Sequence, residues 1–110
     1  MILLTVYLGA HAESPWNEFD GDYAIGGREI SDPPEDQLSN THVRFRIYGE
    51  AAQQMYNAIT SDPVIDRCGP DHLTKVSKNI KCDYFEDGEK YACYFGIGFR
   101  ENEVVKGVSC

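Results

Sequence analysis

The sequence predicts an α+β fold: a small single domain in the order β-α-β-β-β, with one helix packed on one face of a mainly antiparallel sheet and two disulfides. Three observations predict it. "THVRFRIYG" alternates apolar and basic residues at the period of a half-buried strand, "GEAAQQMYNAIT" repeats its apolar residues at helical spacing, and "KCDYFEDGEKYACYF" reads as two strands around a turn.

The chain opens "MILLTVYLGAHAES". Ile2 to Leu8 supply the apolar run of a secretory signal, and Ala10 and Ala12 supply the small residues that a signal peptidase requires. The basic start of such a signal is missing, which places the true start upstream of Met1; the competing reading is a buried strand. The run is shorter than the roughly 20 apolar residues of a membrane-spanning helix, and no cysteine follows Gly9 to accept a lipid. The expectation is a truncated signal peptide over 1–12 and a mature chain beginning Glu13-Ser14-Pro15-Trp16.

Residues 13–40 read as an acidic irregular arm. Gly21, Gly26, Gly27 and Pro33-Pro34 punctuate it, and acidic residues crowd it beside Arg28. Residues 41–110 read as the disulfide-stapled α+β domain. In its first strand Val43, Phe45 and Ile47 share one face and Arg44 and Arg46 the other. The helix presents Ala52, Met55, Tyr56 and Ile59 to the core and stops before Asp62-Pro63. Pro63 to His72 is expected as a loop pinned by Cys68.

Asp87-Gly88 is a two-residue turn signal, and with Glu86 opposite Glu89 the register follows. Cys82 then faces Cys93, Tyr84 faces Tyr91, Ile80 faces Phe95 and Val76 faces Phe99. A slip of one residue would turn this apolar face to water. A second turn at Glu101-Asn102 sets Phe99 against Val104 and Cys93 against Cys110. The four cysteines contain no C-x-x-C pair, which argues for bridges over zinc in an exported chain. The preferred pairing is Cys82 with Cys93 and Cys68 with Cys110; the alternative joins Cys93 to Cys110 and Cys68 to Cys82.

The formal net charge of −8 argues against nucleic acid and anionic membrane as partners and for a basic protein. No G-x-S-x-G elbow is present, and the cysteines are committed to bridges. Asp71 and His72 are adjacent, so their side chains are expected to point apart, with His72 on the surface. Asp20-Gly21-Asp22 hints at calcium, but Ala24, Ile25 and Ser31 stand where an EF-hand loop needs ligands and a glycine. Gly96-Ile97-Gly98 lacks the third glycine of a phosphate cradle, its place taken by Glu101. No catalytic residue, metal or cofactor is expected.

Aromatic residues beside acid suit a protein interface, where rings anchor and charge steers a cationic partner. The candidate partner-binding residues are Trp16, Phe85, Glu86, Asp87, Glu89 and Tyr94. The rings of Trp16 and Phe19 have a competing role, docking onto their own sheet. The expectation is a non-catalytic binding protein, periplasmic or secreted, acting as an inhibitor or immunity protein against a basic, lysozyme-like secreted hydrolase. The competing class is a small secreted enzyme or effector that uses Asp71, His72 and the arm carboxylates. His72 in a cleft beside two carboxylates would favour the second, and a protruding aromatic hairpin the first.

Overall fold

In the computed structural model, residues 14–28, 30 and 40–109 are described. The expected signal segment, Pro33-Pro34 and Cys110 lie outside them. The elements are β1 (Asp20–Gly26), β2 (His42–Tyr48), α1 (Gly49–Ala58), β3 (Val64–Asp66), β4 (Gly69–Ser77), β5 (Ile80–Phe85), β6 (Lys90–Gly98) and β7 (Glu103–Val105). All strands join one antiparallel sheet in the order β1-β2-β6-β5-β4-β3, with β7 also on β6. The α+β class holds, with more strands than expected.

The core lies between α1 and the sheet. Gly49 adopts φ +68°, which lets the chain turn straight from β2 into the helix. Ala52 and Tyr56 then reach Ile47, Cys82 and Cys93, with Met55, Ile59, Tyr84, Tyr91 and Phe95 packed around them. Cys82 and Cys93 oppose each other on β5 and β6 and form a fully buried disulfide. From β4, Lys75 Nζ donates to the carbonyls of Tyr56 and Ile59 at 3.3 and 3.1 Å, satisfying the helix C-terminus from across the core.

Several expectations are corrected. The segment 13–40, expected as irregular, contains β1, whose register sets Asp22 against Arg46; their side chains form an ion pair. The expected loop from Pro63 to His72 contains β3 and the start of β4. The chain turns at Lys78-Asn79, with Lys78 at φ +54°, so Val76 faces Lys81 and not Phe99. The edge of β6 left open there is taken by β7, and Asn79 Nδ2 donates to Val104 O at 2.8 Å across the junction. On β7 the register differs by two residues from expectation: Ile97 meets Val104, facing is preserved, and the strand stops at Val105. The expected row of three cysteines includes Cys110 and so lies outside the described residues.

The turn is centred on Asp87-Gly88 as expected, but of this pair only Gly88, not Asp87, takes positive φ. Glu89 N–H donates to Glu86 O at 3.2 Å, and Gly88 takes φ +85° at the third position, the left-handed conformation that a type II turn places there. The predicted strand register around it survives. One disulfide, Cys82–Cys93, stands in place of the expected two among the described residues, because the pairing assigned to Cys68 involves Cys110; no described cysteine is a free thiol. Gly96 and Gly98 are set by close neighbours on the sheet and not by the Tyr56 ring. A Cβ on Gly98 would meet Glu101 and His42, and one on Gly96 would meet Val43 O at 2.8 Å.

Candidate functional site

The face of the sheet away from α1 carries the chemistry. The register lays its side chains out in rows: Lys90, Phe85 and His72 in one, Tyr48, Ala92, Asp83 and Thr74 in the next, and Arg46, Tyr94, Lys81 and Val76 in a third. Ala92 is small, and its position between Tyr48 and Asp83 leaves a depression. The result is an open groove of about 1010 Å³ at the end of the sheet where β2 runs into α1 and β5 turns into β6.

Tyr48, Phe85, Tyr91, Ala92 and Tyr94 supply its apolar lining, and Glu50, Asp71, Asp87 and Glu89 supply acid, against the single cation Lys90. Burial, aided by the charge of Asp83, raises the Tyr94 phenol above its ordinary pKa. It stays neutral at physiological pH and offers a hydroxyl to a ligand. The groove therefore joins ring faces to a negative rim, a combination that takes a guanidinium or ammonium group.

Beside the groove lies a half-buried set of charges. His72 Nδ1 is 3.1 Å from Asp71 Oδ1, and its Nε2 is 3.2 Å from Asp66 Oδ2 and 3.5 Å from Asp83 Oδ2. Lys81 Nζ pairs with Asp66 and stands 3.7 Å from Asp83. Thr74 donates its hydroxyl to Asp83 Oδ1 at 2.6 Å, and Cys68 N–H donates to Asp66 Oδ1 at 3.0 Å. The Cys68 amide and the Lys81 ammonium hold the Asp66 carboxyl well below the usual carboxylate range. Gly69 makes the arrangement possible: a Cβ there would overlap the His72 ring.

Asp66, His72 and Asp83 have ligand atoms within 4.8 Å of one another, the spacing of a metal site. Lys81 delivers an ammonium beside the same carboxylates and does the work of the cation. Both His72 nitrogens point at carboxylates, so neither is directed toward a substrate proton as a general base requires. What this set can do is hold β3, β4 and β5 in register and fix Asp71 at the groove rim.

Of the expected partner-binding residues, Phe85, Asp87, Glu89 and Tyr94 come together in the groove. Glu86 does not line it; its carbonyl accepts from Glu89, and its side chain is exposed. Trp16 is 87 % exposed and also outside the groove, although Asp20 opposite Tyr48 shows that the arm enters the sheet at the same end. Trp16 does not dock onto the sheet, which corrects that alternative for it, whereas the ring of Phe19 lies beside Gly21 of β1 and stays largely exposed. The expectation that Asp71 and His72 point apart is also corrected, since Asp71 bends back to bond its neighbour. Sequence reasoning missed Asp66, Lys81, Asp83 and Thr74. The signal that could have found them is the turn at Lys78-Asn79, which by itself sets Asp83 against Thr74 and Phe85 against His72.

Comparison with family models, with curated proteins and with solved structures finds no match for this chain.

Proposed function

We propose that this chain is an exported, non-catalytic binding protein whose aromatic, acid-rimmed groove receives a cationic segment of a partner protein. The partner fitting this chemistry is a basic secreted hydrolase of lysozyme type, with the chain as its inhibitor or immunity protein. One observation carries the reading: Phe85 and Tyr94 share one groove with Glu50, Asp71, Asp87 and Glu89. Rings give affinity to the aliphatic stem and planar head of an arginine, and the carboxylates select its charge. The net charge of −8 steers such a partner from a distance.

The competing enzyme reading draws on the carboxylates around His72. His72 does stand half-buried beside carboxylates, as that reading expects, but they occupy both ring nitrogens, which supports a fastening role over proton transfer. Export and a second bridge, Cys68 to Cys110, belong to the proposal as well: the first follows from the apolar opening with Ala10 and Ala12, the second from the use of cysteines as bridges in small exported chains.

The deciding experiment is capture from the envelope fraction of the producing cell with the wild-type chain and with Tyr94→Ala. A basic protein retained by the first and lost with the second supports the reading. Retention of the same proteins by both would sink it. Hydrolytic activity that disappears in His72→Gln would favour the enzyme instead.

A further inference from the structure

The molecule segregates its charge. On the same face as the acidic groove, but between β3, β4 and the segment after β7, lies a second groove of about 420 Å³. Arg67, Lys78, Lys81 and Lys106 line it against the single carboxylate of Asp66. Four of the ten basic residues of a chain with 18 acidic ones thus gather at one concavity. Its remaining walls include Val64, Ile65, Val76 and Val108. Val64, Ile65 and Val76 are 59 %, 67 % and 49 % exposed, so apolar surface is presented there together with positive charge.

We propose that this groove is a binding site for a small anionic amphiphile, a carboxylate or phosphate head on a short aliphatic chain. Lys81 is engaged by Asp66 and Asp83 and serves as the fixed floor. Arg67, Lys78 and Lys106 have no carboxylate within ion-pair distance among the described residues and supply the attraction. Three cations gathered around one hollow that holds a single carboxylate make it locally positive on an acidic molecule, which favours an anion from solution. The valine and isoleucine walls then take the chain, and the volume falls in the range of small-ligand sites.

The walls are built. Arg44 Nε donates to Lys106 O at 3.3 Å and holds the segment after β7 against the sheet. Gly107 lets that segment pass close over β6, since a Cβ there would stand 2.9 Å from Phe95 O. On the other side Asn79 fastens the β4–β5 turn to β7.

Titration with octanoate, octyl phosphate, octanol and inorganic phosphate, followed by backbone amide chemical shifts, tests the site. Octanoate or octyl phosphate should shift Val64, Val76, Lys78 and Val108 together, and the tighter of the two identifies the head group. Octanol and inorganic phosphate, each carrying half of the recognition, should bind at least about tenfold more weakly. The triple variant Arg67→Gln, Lys78→Gln, Lys106→Gln changes only exposed side chains and should lose about tenfold or more, as three modest charge contacts imply. Failure of both anionic amphiphiles to shift these residues, octanol binding as well as octanoate, or a triple variant binding like wild type would each overturn the proposal. Tyr94→Ala should leave octanoate binding intact, which keeps this result separate from the fate of the acidic groove.

Discussion

His72 and Phe85 oppose each other across β4 and β5, with ring centroids 4.7 Å apart. Through this contact the half-buried charges touch the acidic groove, because Phe85 lines the groove and His72 is held by Asp66, Asp71 and Asp83. A protonated His72 also lies where an aromatic ring attracts a cation.

The charge state of His72 should therefore be visible in stability. Burial, the largest influence, lowers its pKa, but the hydrogen bonds to Asp71 and Asp66 and the charge of Asp83 outweigh it, and the net shift is upward from 6.5. A group whose pKa is raised on folding contributes its stability in full below the unfolded value, and loses it as the pH climbs through the folded value. Melting temperatures of the wild type and His72→Gln should differ most near pH 6 and converge above about pH 8. A gap that is constant across this range would show that His72 acts by packing alone.

The carboxylate of Asp83 is the deepest member of the set, with a side chain only 4 % exposed. Asp83→Ala leaves Thr74 without its acceptor and removes one partner each from His72 and Lys81. Breaking a buried set in this way costs about 3 kcal/mol. Urea denaturation should show that loss for Asp83→Ala and a smaller one for Lys81→Met, whose side chain is 18 % exposed. Equal stability of Asp83→Ala and wild type would mean that the charges around it are not coupled.

Local signals explain which parts of this arrangement were legible beforehand. The β5–β6 register follows from Asp87-Gly88 and from the demand that Cys82, Tyr84, Tyr91 and Cys93 share a buried face, and it is correct although only Gly88 of the central pair takes positive φ. The helix is legible from Ala52, Met55, Tyr56 and Ile59. The turn at Lys78-Asn79 carries no glycine, and Lys78 takes a left-handed φ that its type disfavours, so Asn79 alone announces it, and weakly. Missing that one turn hid both β4's register and the meeting of His72, Asp83 and Thr74. β1 was hidden for another reason. Its residues Asp20-Gly21-Asp22 are poor strand formers, and pairing with β2, including Asp22 on Arg46, overrides the propensity.

The cysteines give a covalent test. Non-reducing peptide mapping should link the peptides of Cys82 and Cys93, with Cys68 linked to Cys110 under the proposed second bridge. Replacing Cys82 and Cys93 by Ser should cost about 2 to 5 kcal/mol, since this bond is buried beneath α1. A peptide joining Cys93 to Cys110 would contradict the Cys82–Cys93 pair.

The groove makes the last prediction, because its rings and its charges should act on different rate constants. Asp87 and Glu89 lie in the exposed turn at the rim, where charge mainly accelerates encounter and responds to salt. The double variant Asp87→Asn, Glu89→Gln should slow association at low ionic strength and leave dissociation nearly unchanged. Phe85 and Tyr94 are half-buried in the lining, nearer the centre of contact, and truncating such an anchor costs about 2 kcal/mol or more. Tyr94→Ala should hence dissociate about thirtyfold faster, with its association rate retained. Phe85→Ala should do the same and in addition lower the melting temperature, because it strips the ring from His72. Glu86→Gln serves as the contrast: its side chain lies outside the groove, so it should alter association only through the net charge, by less than the double variant. Surface plasmon resonance with the captured partner at two salt concentrations reads all of these rates. If Glu86→Gln slowed binding as much as the double variant, or if Tyr94→Ala dissociated like wild type, the partner would be held elsewhere, and the exposed Trp16 at the same end of the sheet would be the next residue to change.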